Sequence, residues 1–470
     1  AHWSRTLEEN LGVIDDYSSK PRAVQLAGDK ILVTYFNYGL RYQIIDLYGD
    51  LQFAESPYIL PAVSSINGSG TLLLPDGCGG AYAVKNLIGT NTGDGIYAQR
   101  IDSLGNRMWG DSGVVVFPNW ADRGLGFDIC KAEGGGFYVI VDYWAWIWDS
   151  ANLYIQKVNP DGSLPWDSTG ICYIYNLEES SAYARITEDG NGGAFFIWED
   201  TRYGGHLDWG LYVQHMDSLG NILWPQDLFM VANPWSHEII PDGEGGIILH
   251  SGIGWYNDAY RIDANGNVLW TVQNVSASEA NAWIVPGEPG YFYTGWYDQV
   301  VNQPRYLGQR MDIQGNKHWA ESGNLLYTRT RWEIKRERIL YYNGFLYSAV
   351  SSYPYNTHDD RMFIQKTDTL GNNYCGIQGL LAAYMGPGIY LQLDDKTIII
   401  DREDGVIVLF EFLNDITHER DVFAKRINSD GSFGGPFHID THIQPHNPPI
   451  QIPANGGSFT FDIALADTDS

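Results

Sequence analysis

Tryptophans and tyrosines standing beside carboxylates are the residues of this chain best suited to chemistry. Residues 142–149 read DYWAWIWD and set Trp144, Trp146 and Trp148 between two acids. Trp198, Glu199 and Asp200 lead through TRYGGHLD to Trp209, and shorter groups follow at Trp255-Tyr256, at Trp296-Tyr297-Asp298, and at Tyr353-Pro354-Tyr355 ahead of His358, Asp359 and Asp360. Aromatic faces stack on the apolar faces of sugar rings, and carboxylates accept hydrogen bonds from sugar hydroxyls. The same residue types concentrate binding energy in protein interfaces. A third reading is packing, because Trp144, Trp146 and Trp148 alternate and would share one face of a strand.

Catalytic patterns are harder to find. Glu199 and Asp200 are adjacent, and adjacent residues of a strand face opposite ways, so they do not form a working carboxylate pair. The histidines are dispersed, without the spacing of a metal site. Turns of the form DG-x-GG lack the bidentate glutamate of a calcium loop. Cys78, Cys130, Cys172 and Cys375 form neither CxxC nor CxxCH; one disulfide and four buried thiols are both open readings. No cofactor is expected. Calcium held between loops is compatible with the acidity of the chain, although no ligand can be named. The pattern favours binding over catalysis.

The formal net charge of −28 argues against nucleic acid or an anionic membrane surface as a partner. No run of about 18 apolar residues occurs, so no membrane insertion by a helix is expected. Opening on AHWSR, without a basic-then-apolar leader, the chain reads as a mature secreted form after signal removal. Glycine at 53 residues, tyrosine at 31 and tryptophan at 17 favour an all-β, turn-rich protein.

The elements that would position the aromatic segments are repeats. YAQRIDSLGNRMW from Tyr97 returns as RYQIIDLYGDLQF from Arg41, YIQKVNPDGSLPW from Tyr154, YVQHMDSLGNILW from Tyr212 and AYRIDANGNVLW from Ala259. It continues as LGQRMDIQGNKHW from Leu307, FIQKTDTLGNNYC from Phe363 and FAKRINSDGSFGG from Phe423. The anchors Asp46, Asp102, Asn159, Asp217, Asp263, Asp312, Asp368 and Asn428 are 56, 57, 58, 46, 49, 56 and 60 residues apart. Between copies runs a second phrase, a DG turn followed by a β-rich run, as in PDGCGGAYAV from Pro75. Each repeat thus holds four strands, the last opening on Trp109, Trp166, Trp224, Trp270 or Trp319, with Phe53, Cys375 and Gly435 in the other copies. Four strands at this period predict a β-propeller of eight four-stranded blades, with seven as the alternative. The repeated aromatic is expected to pack between blades.

Both turn types would lie on one face of such a propeller. The aromatic and acidic connections would lie on the other, which becomes the candidate interaction surface. Residues 1–440 form the predicted propeller, and residues 1–14 resemble an outer strand that could complete the last blade. Residues 441–453 are rich in proline and read as a linker; residues 456–470 begin a new strand, either the start of a sandwich module or a strand donated to another copy.

The DG-GG-(apolar run)-W-x-D and YxQR(I/V)D-x-x-G-N-x-L-W phrases resemble a family of secreted repeat propellers from bacteria with type IX secretion, over about residues 20–440. That resemblance implies an extracellular or cell-surface location and says little of activity. RIDANGNVLW is also similar to the repeat of pyrroloquinoline quinone-dependent dehydrogenases, but the Asp-to-Gly gap is one residue shorter and no adjacent cysteine pair is present. The Asp boxes of sialidases share the Asp, Gly and aromatic with different spacing. The leading expectation is an adhesion or recognition module that holds a surface protein or a glycan through Trp144, Trp146, Trp148, Trp198, Asp200, Trp209, Trp255, Tyr256, Trp296, Asp298 and Tyr355. The alternatives are a subunit of an extracellular assembly joined through residues 441–470, and a glycan-active or quinone-dependent enzyme.

Overall fold

The computed structural model describes residues 11–12, 19–28, 30–36, 39–46, 50–62, 71–87, 95–118, 126–144, 151–177, 181–203, 209–234, 236–253, 256–277, 283–298, 303–329, 332–354, 360–384, 389–392, 398–400, 406–414 and 420–428. Trp146, Trp148, Trp255, Tyr355 and the tail 441–470 lie outside the described residues. Eight antiparallel sheets, seven of them four-strand meanders in sequence order, arrange as the blades of a β-propeller. Blades 1 to 7 span residues 19–62, 72–118, 126–177, 181–232, 236–277, 283–328 and 332–384. In blade 8 the innermost position is shared by two short strands, Ile389–Gln392 and Ile398–Ile400, and the outermost strand is Leu11–Gly12, paired with Phe423 and Ala424. The first strands of successive blades pack against one another and line the axis. The only helix among the described residues is one turn, Thr201–Tyr203, so no described helix could cross a membrane.

Every copy of the YxQRID phrase is the third strand of its blade. The turn that follows is built by its own side chains. Asp102 Oδ1 accepts the amide N–H groups of Leu104 (2.9 Å) and Asn106 (2.8 Å), while Asn106 Nδ2 donates to Asp102 Oδ2 at 2.9 Å. The same three bonds recur around Asp217, Asp263, Asp312 and Asp368. This explains why Asp and Asn bracket the glycine, which sits at positive φ.

The glycine has a second reason to be glycine. The tryptophan of the preceding blade lies flat over it: a methyl group at Gly266 would come within 3.2 Å of the Trp224 ring, and one at Gly315 within 3.1 Å of Trp270. Each indole then donates across the seam to a carbonyl of that next turn, Trp224 to Ala264 at 2.8 Å, Trp270 to Ile313 at 2.8 Å and Trp319 to Thr369 at 3.0 Å. The basic residue of the phrase completes the seam. Arg261 reaches back to Asp242 of its own DG turn (2.7 Å) and forward to Ile313 O (3.1 Å), and His215 does the same with Asp189 (2.9 Å) and Ala264 O (3.1 Å). The repeated tryptophan is therefore an inter-blade fastener, as its fixed position predicts.

One expectation about local structure changes. In blades 2, 3, 4 and 6 the tryptophan precedes the fourth strand instead of opening it. Gln99 and Gln309 explain the break in blades 2 and 6: their Oε1 atoms accept the amide N–H of Trp109 and Trp319, each at 2.9 Å, and their Nε2 groups hold the next carbonyl. Blade 5 carries Tyr260 in place of that glutamine, and there the fourth strand runs unbroken from Val268 to Ala277. All four cysteines are free thiols.

Candidate functional site

The turns of the DG and DxxGN phrases lie on one face, so the ends of the second strands and the starts of the third lie on the other, the loop face. Several predicted residues prove to belong to the sheets. Trp198 and Trp296 fall within second strands that run on to Asp200 and Asp298, and both are buried, Trp198 against Tyr173 of blade 3 and Trp296 with Leu307 and Leu325 of its own blade. Neither presents a face to a partner. Trp144 ends the second strand of blade 3.

Asp200 is also engaged internally. Its buried carboxylate accepts from Trp198 Nε1 (2.8 Å), Arg202 N–H (3.0 Å) and Arg202 Nε (2.8 Å), while Arg202 also bonds Asp227 (2.9 Å) and covers the Tyr212 ring. It anchors the loop from Thr201 rather than offering an acceptor. Asp298 pairs with Arg305 at 2.9 Å. Trp209 is half-buried, its backbone N–H on Asn233 Oδ1 (3.0 Å), and Tyr256, the first residue of the third strand of blade 5, is exposed. Trp209 and Tyr256 are the two predicted aromatics with described, accessible rings.

Glu199 faces away from Asp200, as adjacency in a strand requires, and turns toward blade 5. There the structure assembles a site the sequence pattern did not single out. The innermost strand of blade 4, Ser181–Glu188, carries a bulge between Ala182 and Arg185. In it Tyr183 has φ +57°, a conformation rare for a large side chain, and the residue is 62% exposed. Three blades hold this one residue. His237, buried on the innermost strand of blade 5, lies 2.7 Å from Tyr183 O through Nε2, and since a carbonyl only accepts, Nε2 carries the proton. Its Nδ1 is 2.9 Å from Glu199 Oε1 but off the line of a hydrogen bond. From blade 3, buried Asp142 accepts the Ala184 N–H at 3.4 Å. A methyl group at Gly126 would lie 2.7 Å from both Asp142 oxygens, so Gly126 makes the room that carboxylate occupies.

Burial pushes the Asp142 carboxyl up to about 6, against the lowering pull of the amides of Ala184, Gly126 and Tyr183 and the charge of Arg185. His250, on the second strand of blade 5, is pushed down to about 4 by burial alone, so it is neutral at pH 7. Other polar residues of the innermost strands bond along or across the seams: Asp128 Oδ2 takes the Ile186 N–H (3.1 Å), Arg185 donates to Ala184 O (2.9 Å), and Glu238 Oε2 takes the Ile284 N–H of blade 6 (3.3 Å). Among the described residues no three His, Cys, Asp or Glu side chains come together as a metal site.

The signal for this site was present in the repeats. Asp142 and Glu199 are each the sixth residue after the last glycine of their DG turn, Gly136 and Gly193. The bulge and the partnership with His237 had no local signature.

The sequence matches no family model and no curated protein. Among solved structures it is similar in fold to puromycin hydrolase, at 15% identity and TM-score 0.47 over 87% of this chain and 61% of that one. It is also similar to prolyl oligopeptidase B from Galerina marginata bound to a 25mer macrocyclization substrate, at 12% identity and TM-score 0.48 over 87% and 57%. A third is a PL25 ulvan lyase bound to -[GlcA(1-4)Rha3S]-, at 11% identity and TM-score 0.45 over 80% and 96%. The chain thus spans about three-fifths of the length of the first two. The propeller assignment rests on the eight sheets themselves.

Proposed function

We propose that this propeller is a secreted or surface-displayed recognition module that holds its partner on the loop face. The observation that carries the reading is Tyr183, an exposed ring on a strained backbone fixed by buried groups from three blades. Backbone strain of this kind costs roughly 1–3 kcal/mol and persists only where the surroundings over-determine it, commonly at ligand-contacting positions. The distribution of polar groups supports the same face. On the turn face the repeated Asp, Asn and basic residues bond within their turn or across a seam, as Arg261 and His215 do. The net charge of −28 favours neutral or cationic partners.

Face-selective variants test this. Trp209→Ala and Tyr256→Ala alter the loop face, whereas Leu104→Ser and Leu219→Ser alter exposed leucines of the turn face. Binding to immobilised glycans and to a surface-protein fraction is expected to fall in the first pair only. Loss confined to the second pair would overturn the assignment of the face.

A further inference from the structure

We infer that Arg329 is a receptor for a ligand carboxylate on the loop face, at the junction of blades 6 and 7; this goes beyond the recognition reading above and stands on other residues. Arg329 follows the fourth strand of blade 6, Asn324–Thr328, and precedes the innermost strand of blade 7, which opens on Trp332. Its guanidinium carbon lies 4.7 Å from the centre of the Trp332 ring and 4.4 Å from that of Phe363. A second guanidinium, that of Arg361 at the start of the third strand of blade 7, lies 5.1 Å from the same Trp332 ring. Rings occupy the faces of a planar guanidinium and leave its edge, where the N–H donors point. At Arg329 that edge has no protein acceptor. Nε is buried without one, and the two Nη groups, which also lack one, reach solvent. Arg100, Arg202, Arg261, Arg305 and Arg310 each pair with a carboxylate, whereas no ion pair or hydrogen bond engages Arg329 among the described residues.

The local charge agrees. Residues 329–338, RTRWEIKRER, hold five of the chain's 29 lysines and arginines against two glutamates, in a protein of formal net charge −28. Arg361 has further partners, and Asp360 beside it is buried with partners that do not include Arg329. Two guanidiniums against one ring repel, and a bound anion relieves that repulsion. A carboxylate fits end-on to the paired Nη groups through two parallel N–H···O bonds. Charges farther off than about 8 Å are screened at physiological salt, so the acidity of the whole chain does not cancel this local field. A polyanion would extend past the basic patch onto acidic surface. The site therefore suits a single carboxylate on an otherwise neutral ligand, borne either by a free small acid or by a uronic sugar.

The experiment is a titration of the chain carrying nitrogen-15 arginine, followed by nuclear magnetic resonance, with methyl glucuronide, acetate and the neutral methyl glucoside. The Arg329 Nε–H signal is identified by its absence in Arg329→Lys and Arg329→Gln, and urea midpoints show that both variants fold. Methyl glucuronide is expected to shift that signal and to bind roughly tenfold or more tighter than methyl glucoside, because the neutral sugar lacks the group that meets the fork. The other arginine signals report the same binding in the variants. Arg329→Gln is expected to weaken it roughly tenfold, and Arg329→Lys, which keeps the charge and loses the fork, by about threefold. Raising salt from about 50 to 500 mM should weaken it in wild type more than in Arg329→Gln. Acetate binding as tightly as methyl glucuronide supports the receptor and assigns a free small acid; tighter binding of the glucuronide supports it and assigns a sugar acid. No shift with either carboxylate, equal binding of methyl glucoside, or unchanged binding by a folded Arg329→Gln overturns the receptor. None of these failures touches the recognition reading, which is read on Trp209→Ala and Tyr256→Ala.

Discussion

Replacing Trp224 tests whether the repeat is an inter-blade fastener. The indole is 6% exposed, donates to Ala264 O of blade 5 at 2.8 Å, lies over Gly266, and meets Phe195 at 5.9 Å between centroids. In Trp224→Phe the lost hydrogen bond contributes about 1 kcal/mol and the smaller ring about 1 more. The Ala264 carbonyl is not orphaned, because His215 Nδ1 still lies 3.1 Å from it, which keeps the total near 2 kcal/mol. Trp224→Ala removes the whole ring and is expected to cost about 3–5 kcal/mol. Trp109 provides the internal comparison: it is only half-buried, and its bond to Pro160 O is 3.3 Å long, so Trp109→Phe should cost under about 1 kcal/mol. Urea unfolding followed by circular dichroism gives all three values. A Trp224→Ala chain within about 0.5 kcal/mol of wild type, or Trp109→Phe costing more than Trp224→Phe, would refute the seam account.

Further outcomes follow from the buried ionisable groups. His215→Leu removes the imidazole from buried Asp189, which keeps only the Asn191 and Gly193 amides, and is expected to cost about 2–3 kcal/mol, whereas His215→Arg, the residue at this place in blades 2, 5, 6 and 8, should restore most of it; thermal unfolding of the two variants decides. Asp142 has a folded-state value raised from 3.8 to about 6, so its contribution is fully present below the unfolded value and is lost as pH rises through about 6. Wild type should therefore lose up to about 3 kcal/mol relative to Asp142→Asn between pH 4 and 7, and parallel stability curves for the two chains would exclude it. His250 is depressed from 6.5 to about 4, so its contribution is present above the unfolded value and is lost as pH falls toward about 4. Relative to His250→Gln, wild type should weaken by about 3 kcal/mol across that acid window, read by chemical denaturation at each pH.

The fold was legible because each repeated residue serves a bond that recurs in blade after blade. Asp and Asn close the turn, glycine admits the neighbouring indole, and the basic residue and tryptophan reach the next turn, so one sequence phrase carries both a strand and its seam. The candidate face was legible only in outline. Trp198 and Trp296 read as loop aromatics because an acid follows closely, yet the second strands extend through those acids and carry both indoles inside. Asp200 read as a free acceptor, but its partner Arg202 stands just beyond the strand end. Tyr183 carried no signal in the sequence, because a bulge shows itself in pairing register and not in composition. Its supports Gly126, Asp142, Glu199 and His237 come from three repeats, and local periodicity carries no information about residues that meet only when blades stack.

The architecture separates two tasks that a small fold must usually combine. On the turn face a change in one repeated residue breaks a bond to the next blade, so variation there carries a stability penalty; the seams of Trp224, Trp270 and Trp319 show how little of that chemistry is left over for a partner. On the loop face the constraint is different. Lys85, Val141, Trp198, Ser251, Trp296 and Val350 hold equivalent places in six second strands, and the next residues are Asn86, Asp142, Glu199, Gly252, Tyr297 and Ser351. That range of size and charge at one structural position is tolerated because the turn-face bonds of the tryptophan and the basic residue do not run through it; in blade 3 Asp142 makes a seam bond of its own, to the Ala184 N–H. The position holds a carboxylate in blades 3, 4 and 8, and those of blades 3 and 4, Asp142 and Glu199, flank the strained tyrosine from either side. On the recognition reading proposed above, the sector of blades 3 to 5 is the place to look for the partner, because there the bulge of blade 4 is held from both neighbouring blades.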